Sequence, residues 1–187
     1  MYYEDIIFTK KDMETLTFEN SEFLSCTFEG IAFNQINFNN TIFENCTFKS
    51  CQLNTCTFCH SKFIDLNFEN SELINIVLSN INQFIIEVVF LKSYLKYCDF
   101  SKLDLKKIDF SNSTLKECLF SNTNLKQASF KNCDLQGTCF ENCNLENSNF
   151  KKATNYRINP LTNNITGGQF SLPDLIGLLK DFNIKIK

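Results

Sequence analysis

Tryptophan is absent from this 187-residue chain, and glycine (5), proline (2) and histidine (1) are scarce. A chain so poor in glycine has no phosphate-cradling Gly-rich loop, and a single histidine excludes a multi-histidine metal centre. No nucleophile elbow or paired-carboxylate motif stands out. Long apolar runs are missing too: the longest, Ile85 to Leu91, is interrupted by Glu87 and is far short of a bilayer span. The opening residues MYYEDIIF carry Glu4 and Asp5 where a signal peptide carries Lys or Arg. Neither secretion nor membrane insertion is expected, and a cytoplasmic, bacterial protein is. At about 150 residues per domain, the length predicts one domain.

What is abundant is phenylalanine, 21 residues, and cysteine, 10 residues. A step of five from Phe8 explains the first. It lands on Met13, Phe18, Phe23, Phe28, Phe33, Phe38, Phe43, Phe48, Leu53, Phe58, Phe63, Phe68, Leu73 and Leu78. The phase fails at Gln83 and is read as resuming two residues late, at Ile85. Phe90, Leu95, Phe100, Leu105, Phe110, Leu115, Phe120, Leu125, Phe130, Leu135, Phe140, Leu145 and Phe150 follow. Eighteen of the 21 Phe lie on this lattice. A period of five is neither helical nor a plain strand alternation. It suits a chain that turns a corner every fifth residue and points one large side chain inward from each side, four sides to a coil. Phe and Leu alternate strictly from Phe90 to Phe150, so each type recurs every second side, as layered packing requires.

The second inward position lies two before each centre and, from Leu16 on, carries no charge. Eight of the ten cysteines occupy it (Cys26, Cys46, Cys51, Cys56, Cys98, Cys118, Cys133, Cys143), beside Ser, Thr, Ala, Ile, Leu and Val. Cysteine there serves as a small apolar filler, and without an export signal no disulfide framework is expected. The run Cys56-Thr-Phe-Cys59-His60 has the look of a metal motif. The lattice separates its members, however, with Cys56 inward and Cys59 and His60 outward, so no metal or cofactor is expected. Asn two after the centre (Asn20, Asn40, Asn45, Asn70, Asn112, Asn122, Asn132, Asn142) suits a corner, because Asn tolerates the left-handed conformation.

The pattern resembles the pentapeptide repeat family, with Phe often in place of Leu and Cys, Ser, Thr or Ile in place of Ala. KNCDLQGTCFENCNLENSNF (131–150) is a full coil in that style. The resemblance implies an all-β fold, a right-handed quadrilateral β-helix of about seven coils and about 34 Å length, closed by a short C-terminal α-helix. The organisation reads as a first stack of coils over 1–78, a phase break over 79–84, a second stack over 85–155 and a C-terminal segment over 156–187. The core lattice is anchored by Phe28, Phe48, Phe68, Phe90, Phe100, Phe110, Phe120, Phe130, Phe140 and Phe150.

In the C-terminal segment 156–169 reads as irregular with a Gly-Gly turn. Ser171 with Asp174 then resembles a capping box opening a helix to Phe182, ended by Asn183. Ile184 and Ile186 alternate with lysine in strand fashion. Leu172, Leu175, Ile176, Leu178, Leu179, Phe182, Ile184 and Ile186 are the candidate dimer interface. The break, the filled rod and the tail are similar to Qnr-type, quinolone-resistance proteins of Gram-positive bacteria. That likeness implies a non-enzymatic homodimer that binds DNA gyrase or topoisomerase IV as a mimic of duplex DNA and protects it from fluoroquinolones. Direct nucleic-acid binding is not expected.

Charge keeps a second reading open. Residues 1–78 hold 11 acidic and 4 basic side chains, whereas residues 79–187 hold 10 and 14, giving −7 and +4 within a net −3. A 34 Å duplex carries about 20 negative charges. A protein-interaction scaffold with another partner is the alternative function.

Overall fold

The computed structural model describes residues 1–14, 16–182 and 184–185. It is an all-β parallel solenoid of about seven turns with four ladders of short strands running along it. Tyr2–Glu4, Glu22–Leu24, Ile42–Glu44 and the start of Lys62–Glu69 stack as the first ladder, with Phe23, Phe43 and Phe63 in register. The second ladder stacks Ile7–Phe8, Thr27–Glu29, Thr47–Lys49, the end of Lys62–Glu69 and Ile86–Leu91. Ala32–Asn34, Gln52–Asn54, Glu72–Ile74, Tyr94–Lys96 and Thr114–Lys116 make the third. The fourth is Asn37, Thr57, Val77 and Asp99, then Leu119–Ser121 and Cys139–Glu141.

Most strands are three residues long because the chain must turn at the fourth. The residue two after most centres takes positive φ, from Asn20 (56°) and Ser25 (52°) to Asn147 (58°) and Lys152 (58°), and all eight corner asparagines are among them. Centres point inward and stack on their equivalents one turn away. Phe28, Phe48, Phe68, Phe90, Phe110, Phe130 and Phe150 form one near-parallel column, with ring centroids 4.6 Å apart at Phe28–Phe48 and 5.3 Å at Phe90–Phe110. Phe100, Phe120 and Phe140 form a second column that meets the first edge-on, as in Phe110–Phe120 at 5.9 Å and 81°. All ten anchoring phenylalanines are buried. Aromatic pairs in these geometries add about 0.5–1.5 kcal/mol each to the burial of their area.

The second inward position does more than fill space. Its side chain donates to the carbonyl of a centre one turn below: Thr41 to Phe18 (2.6 Å), Ser71 to Phe48 (2.9 Å), Ser113 to Phe90 (2.9 Å) and Thr138 to Leu115 (2.9 Å). Cysteine thiols repeat the bond, Cys46 to Phe23 (3.3 Å) and Cys133 to Phe110 (2.9 Å). Cysteine is thus a weak-donor equivalent of serine as well as an apolar filler.

Three expectations are corrected. Ile85 is not a lattice centre: it is 42% exposed, and Ile86 pairs with Phe63 in its place, with a bulge before Val88 restoring register to Leu66 and Phe90 to Phe68. The bulge absorbs an even phase slip by letting residues 83–85 leave the wall. The lattice also does not end at Asn155. After 156–162 leave it, Asn164 and Gln169 bridge to Asn144 and Asn149, and Phe170 stacks on Phe150 at 5.2 Å.

The third concerns the C-terminal segment. No α-helix forms among the described residues there; Asp174–Leu178 and Lys180–Phe182 are short 3-10 turns. The Ser171 hydroxyl accepts from the Lys152 N–H (2.6 Å) rather than capping a helix. The Gly177 carbonyl accepts from Ile158 N–H (3.2 Å) instead of continuing a helical ladder. Gly177 is itself helix-disfavouring by about 1 kcal/mol. A Cβ at this position would overlap the Tyr156 carbonyl oxygen, so the segment is fixed by its contact with 156–158. Asn183, the expected helix stop, lies outside the described residues.

Candidate interaction surface

With the interior filled, function rests on the outward positions, one before and one after each centre, and on the corners. On the N-terminal part of the first ladder these positions collect carboxylates. Glu4, Asp5, Glu22, Glu44, Asp65 and Glu87 are all exposed, and Lys62 is the one basic side chain among them. None of the six belongs to an ion pair among the described residues. Glu4 accepts from the Tyr2 hydroxyl (2.9 Å), which pushes that phenol's pKa above its ordinary value. The register sets the spacing: Glu22 lies beside Tyr2 and Ile42, and Glu44 beside Leu24 and Ile64, one turn, or about 4.8 Å, per step.

Beyond the break, the surface beside the bridged residues Asp104, Asn124 and Asn144 differs. It carries Lys106, Lys107 and Lys126, with Lys106 paired to Asp104 (3.3 Å) and Lys126 to Glu146 (2.9 Å). Between the two parts the break bulges outward. Phe84 is 91% exposed at its tip, and Ile85, Val89 and Leu91 lie exposed beside it. A cleft of about 230 Å³ opens above it, lined by residues including Glu87, Val89, Lys106 and Lys107. The period-five reading locates the break but not Phe84, whose off-lattice position is the available signal.

The cysteines are buried at the inward positions, and burial raises the pKa of Cys46 and Cys133 to about 12. Cys59 is half-buried with its N–H bonded to Asn39 Oδ1 (2.7 Å), and His60 occupies an exposed corner with φ 60°. No group of three or more His, Cys, Asp or Glu among the described residues is placed to hold a metal.

Of the candidate dimer residues, Leu175, Ile176, Leu178 and Phe182 lie on the two 3-10 turns, and Leu172, Leu179 and Ile184 lie beside them. Leu172 is 82% exposed, and Leu175, Ile176, Leu179, Phe182 and Ile184 are also exposed, while Leu178 packs against the core. Ile186 lies outside the described residues. No described helix is long and apolar enough to cross a membrane.

A parallel β-solenoid with corners every fifth residue and a stacked Phe/Leu interior defines the class. Residues 88–170 match the pentapeptide repeat region family, so the chain carries a pentapeptide repeat region. Its fold is like that of QnrB1, a plasmid-mediated fluoroquinolone resistance protein. One trypsin-treated variant of QnrB1 aligns at 11% identity and TM-score 0.57 over 100% of this chain and 98% of that one. A second trypsin-treated variant aligns at 13% identity and TM-score 0.54, again over 100% and 98%. No curated protein matches in sequence.

Proposed function

We propose that this protein is a non-enzymatic, Qnr-like ligand of a type II topoisomerase, DNA gyrase or topoisomerase IV, that occupies its DNA-binding groove and protects it from fluoroquinolones. The carrying observation is the carboxylate ladder. Glu4 to Glu87 spans four turns, about 19 Å at the stacked-strand spacing, and presents six carboxylates. One strand of duplex DNA places a phosphate every 3.4 Å, about six over the same length. The net −3 of the whole chain therefore understates the local charge, because the basic residues lie mostly beyond the break. A right-handed, four-sided coil, a homodimer through the exposed C-terminal residues Leu172 to Ile184 and a cytoplasmic location belong to the same reading.

The lysine-bearing C-terminal part favours the alternative, a scaffold rod with another partner. A supercoiling assay separates the two. Titrated with gyrase and a fluoroquinolone, the protein is expected to restore supercoiling at concentrations that do not inhibit. Neither rescue nor inhibition would leave the scaffold reading.

A further inference from the structure

The last strand of the fourth ladder is left open on one side. Cys139–Glu141 pairs with Leu119–Ser121 below it and with no described strand above. Lower in the rod the upward-pointing N–H groups are bonded: Asn122 N–H, one turn down, donates to Glu141 O (2.8 Å), and Phe100 N–H, two turns down, to Leu119 O (2.9 Å). The equivalent N–H groups of Phe140 and Asn142 find no acceptor among the described residues, because 156–162 swing away from the stacking position. The Phe140 carbonyl is met by Asn163 Nδ2 (3.0 Å). The departure leaves a groove of about 800 Å³ along this edge, walled by Asn142, Asn155, Arg157, Asn159, Lys180 and Asp181 among others. Arg157 is paired with Asp181, whereas Glu141, exposed on the edge strand, has no ion-pair partner among the described residues.

An open strand edge beside a groove accepts an added strand through its backbone, with alternate side chains setting specificity. The sequence contains a segment of matching chemistry. Ile184-Lys185-Ile186-Lys187 alternates apolar and cationic residues, so one isoleucine would cover Phe140 while the lysines stand outward beside Glu141. In the single chain Ile184 is 55% exposed and neither Ile184 nor Lys185 lines the groove.

We propose that the Cys139–Glu141 edge receives the Ile184–Lys187 segment of a second copy, each copy giving its strand to the other around a two-fold axis. This rests on the homodimer reading and deepens it, because it assigns Ile184 and Ile186 of that interface to backbone pairing with the Cys139–Glu141 edge, apart from the 172–182 surface.

Two measurements test it: sedimentation equilibrium of the full chain and of a variant with Ile184→Asp and Ile186→Asp, and hydrogen exchange at the Phe140 and Asn142 amides. The expected result is protection of both amides that fades on dilution. The double variant should lose that protection, and its dimer dissociation constant should rise at least tenfold. Synthetic NIKIK peptide added to the variant should return the protection. A variant that dimerises as tightly as the parent overturns the strand exchange while leaving the dimer reading standing. A full chain that is monomeric at every concentration overturns both. Protection that is independent of concentration assigns the edge to the chain's own tail and overturns exchange between copies.

Discussion

The hydroxyl of Ser93 donates to the carbonyl oxygen of Phe68 across 3.0 Å over 25 residues, whereas Ser71 makes the same bond to Phe48 over 23. The two extra residues of the break are thus extruded on the first ladder, and the polar column inside the rod continues through it. Phe68 and Phe90 likewise stay stacked at 5.1 Å and 5°.

Ser93 also accepts from Ser71 N–H (3.2 Å), so Ser93→Ala removes the acceptor of a buried N–H together with a donor to the Phe68 carbonyl. The expected cost is about 1–3 kcal/mol. Ser93→Cys should lose less than half as much, because a thiol fills the same role at Cys51 and Cys133. Urea denaturation of both variants checks this; equal losses would show that volume rather than hydrogen bonding matters there.

Phe110 is fully buried and stacks on Phe90 and Phe130, both at 5.3 Å. Phe110→Ala is expected to cost about 3–5 kcal/mol. A loss below about 1 kcal/mol in chemical denaturation would contradict the packing described.

Thr55 holds φ 54° at a corner, where a β-branched side chain is strained. Thr55→Asn is expected to stabilise by about 1 kcal/mol, the scale of the left-handed penalty. An unchanged or lower melting temperature would count against the corner argument.

Tyr156 is buried and its hydroxyl has no hydrogen-bond partner among the described residues. Burial, with Asp174 nearby, pushes the phenol from 10.0 up to about 12. The folded state favours the neutral form, so this contribution is complete below pH 10 and is lost as pH rises through 12. Tyr156→Phe should be neutral or slightly stabilising near neutral pH, and the parent should weaken relative to it between pH 10 and 12. A pH-independent difference between the two would refute the assignment.

The repeating interior is legible because one residue type answers one geometric need at each fifth position, and Phe28 to Phe150 need no tertiary information to place. Ile85 is misplaced by the period because a two-residue slip can be absorbed in more than one way, and only pairing with Phe63 selects Ile86. The C-terminal helix fails for a similar reason. Ser171 and Gly177 look local in sequence, yet one is claimed by Lys152 and the other by Ile158. Phe170 and Ile165 are readable, each lying 20 residues beyond Phe150 and Leu145, once the period is carried across the irregular stretch. The carboxylate ladder requires the fold, since its six members are spread over residues 4–87 and converge only when the turns stack.

Competition for the topoisomerase groove tests the central claim most directly. Labelled duplex DNA bound to gyrase, followed by fluorescence anisotropy, is titrated with the protein and with the variant Glu22→Lys, Glu44→Lys. The account predicts that the parent displaces the DNA in a salt-sensitive manner and that the variant is at least tenfold weaker. Displacement by both proteins alike, or a complex holding DNA and protein together, would contradict it.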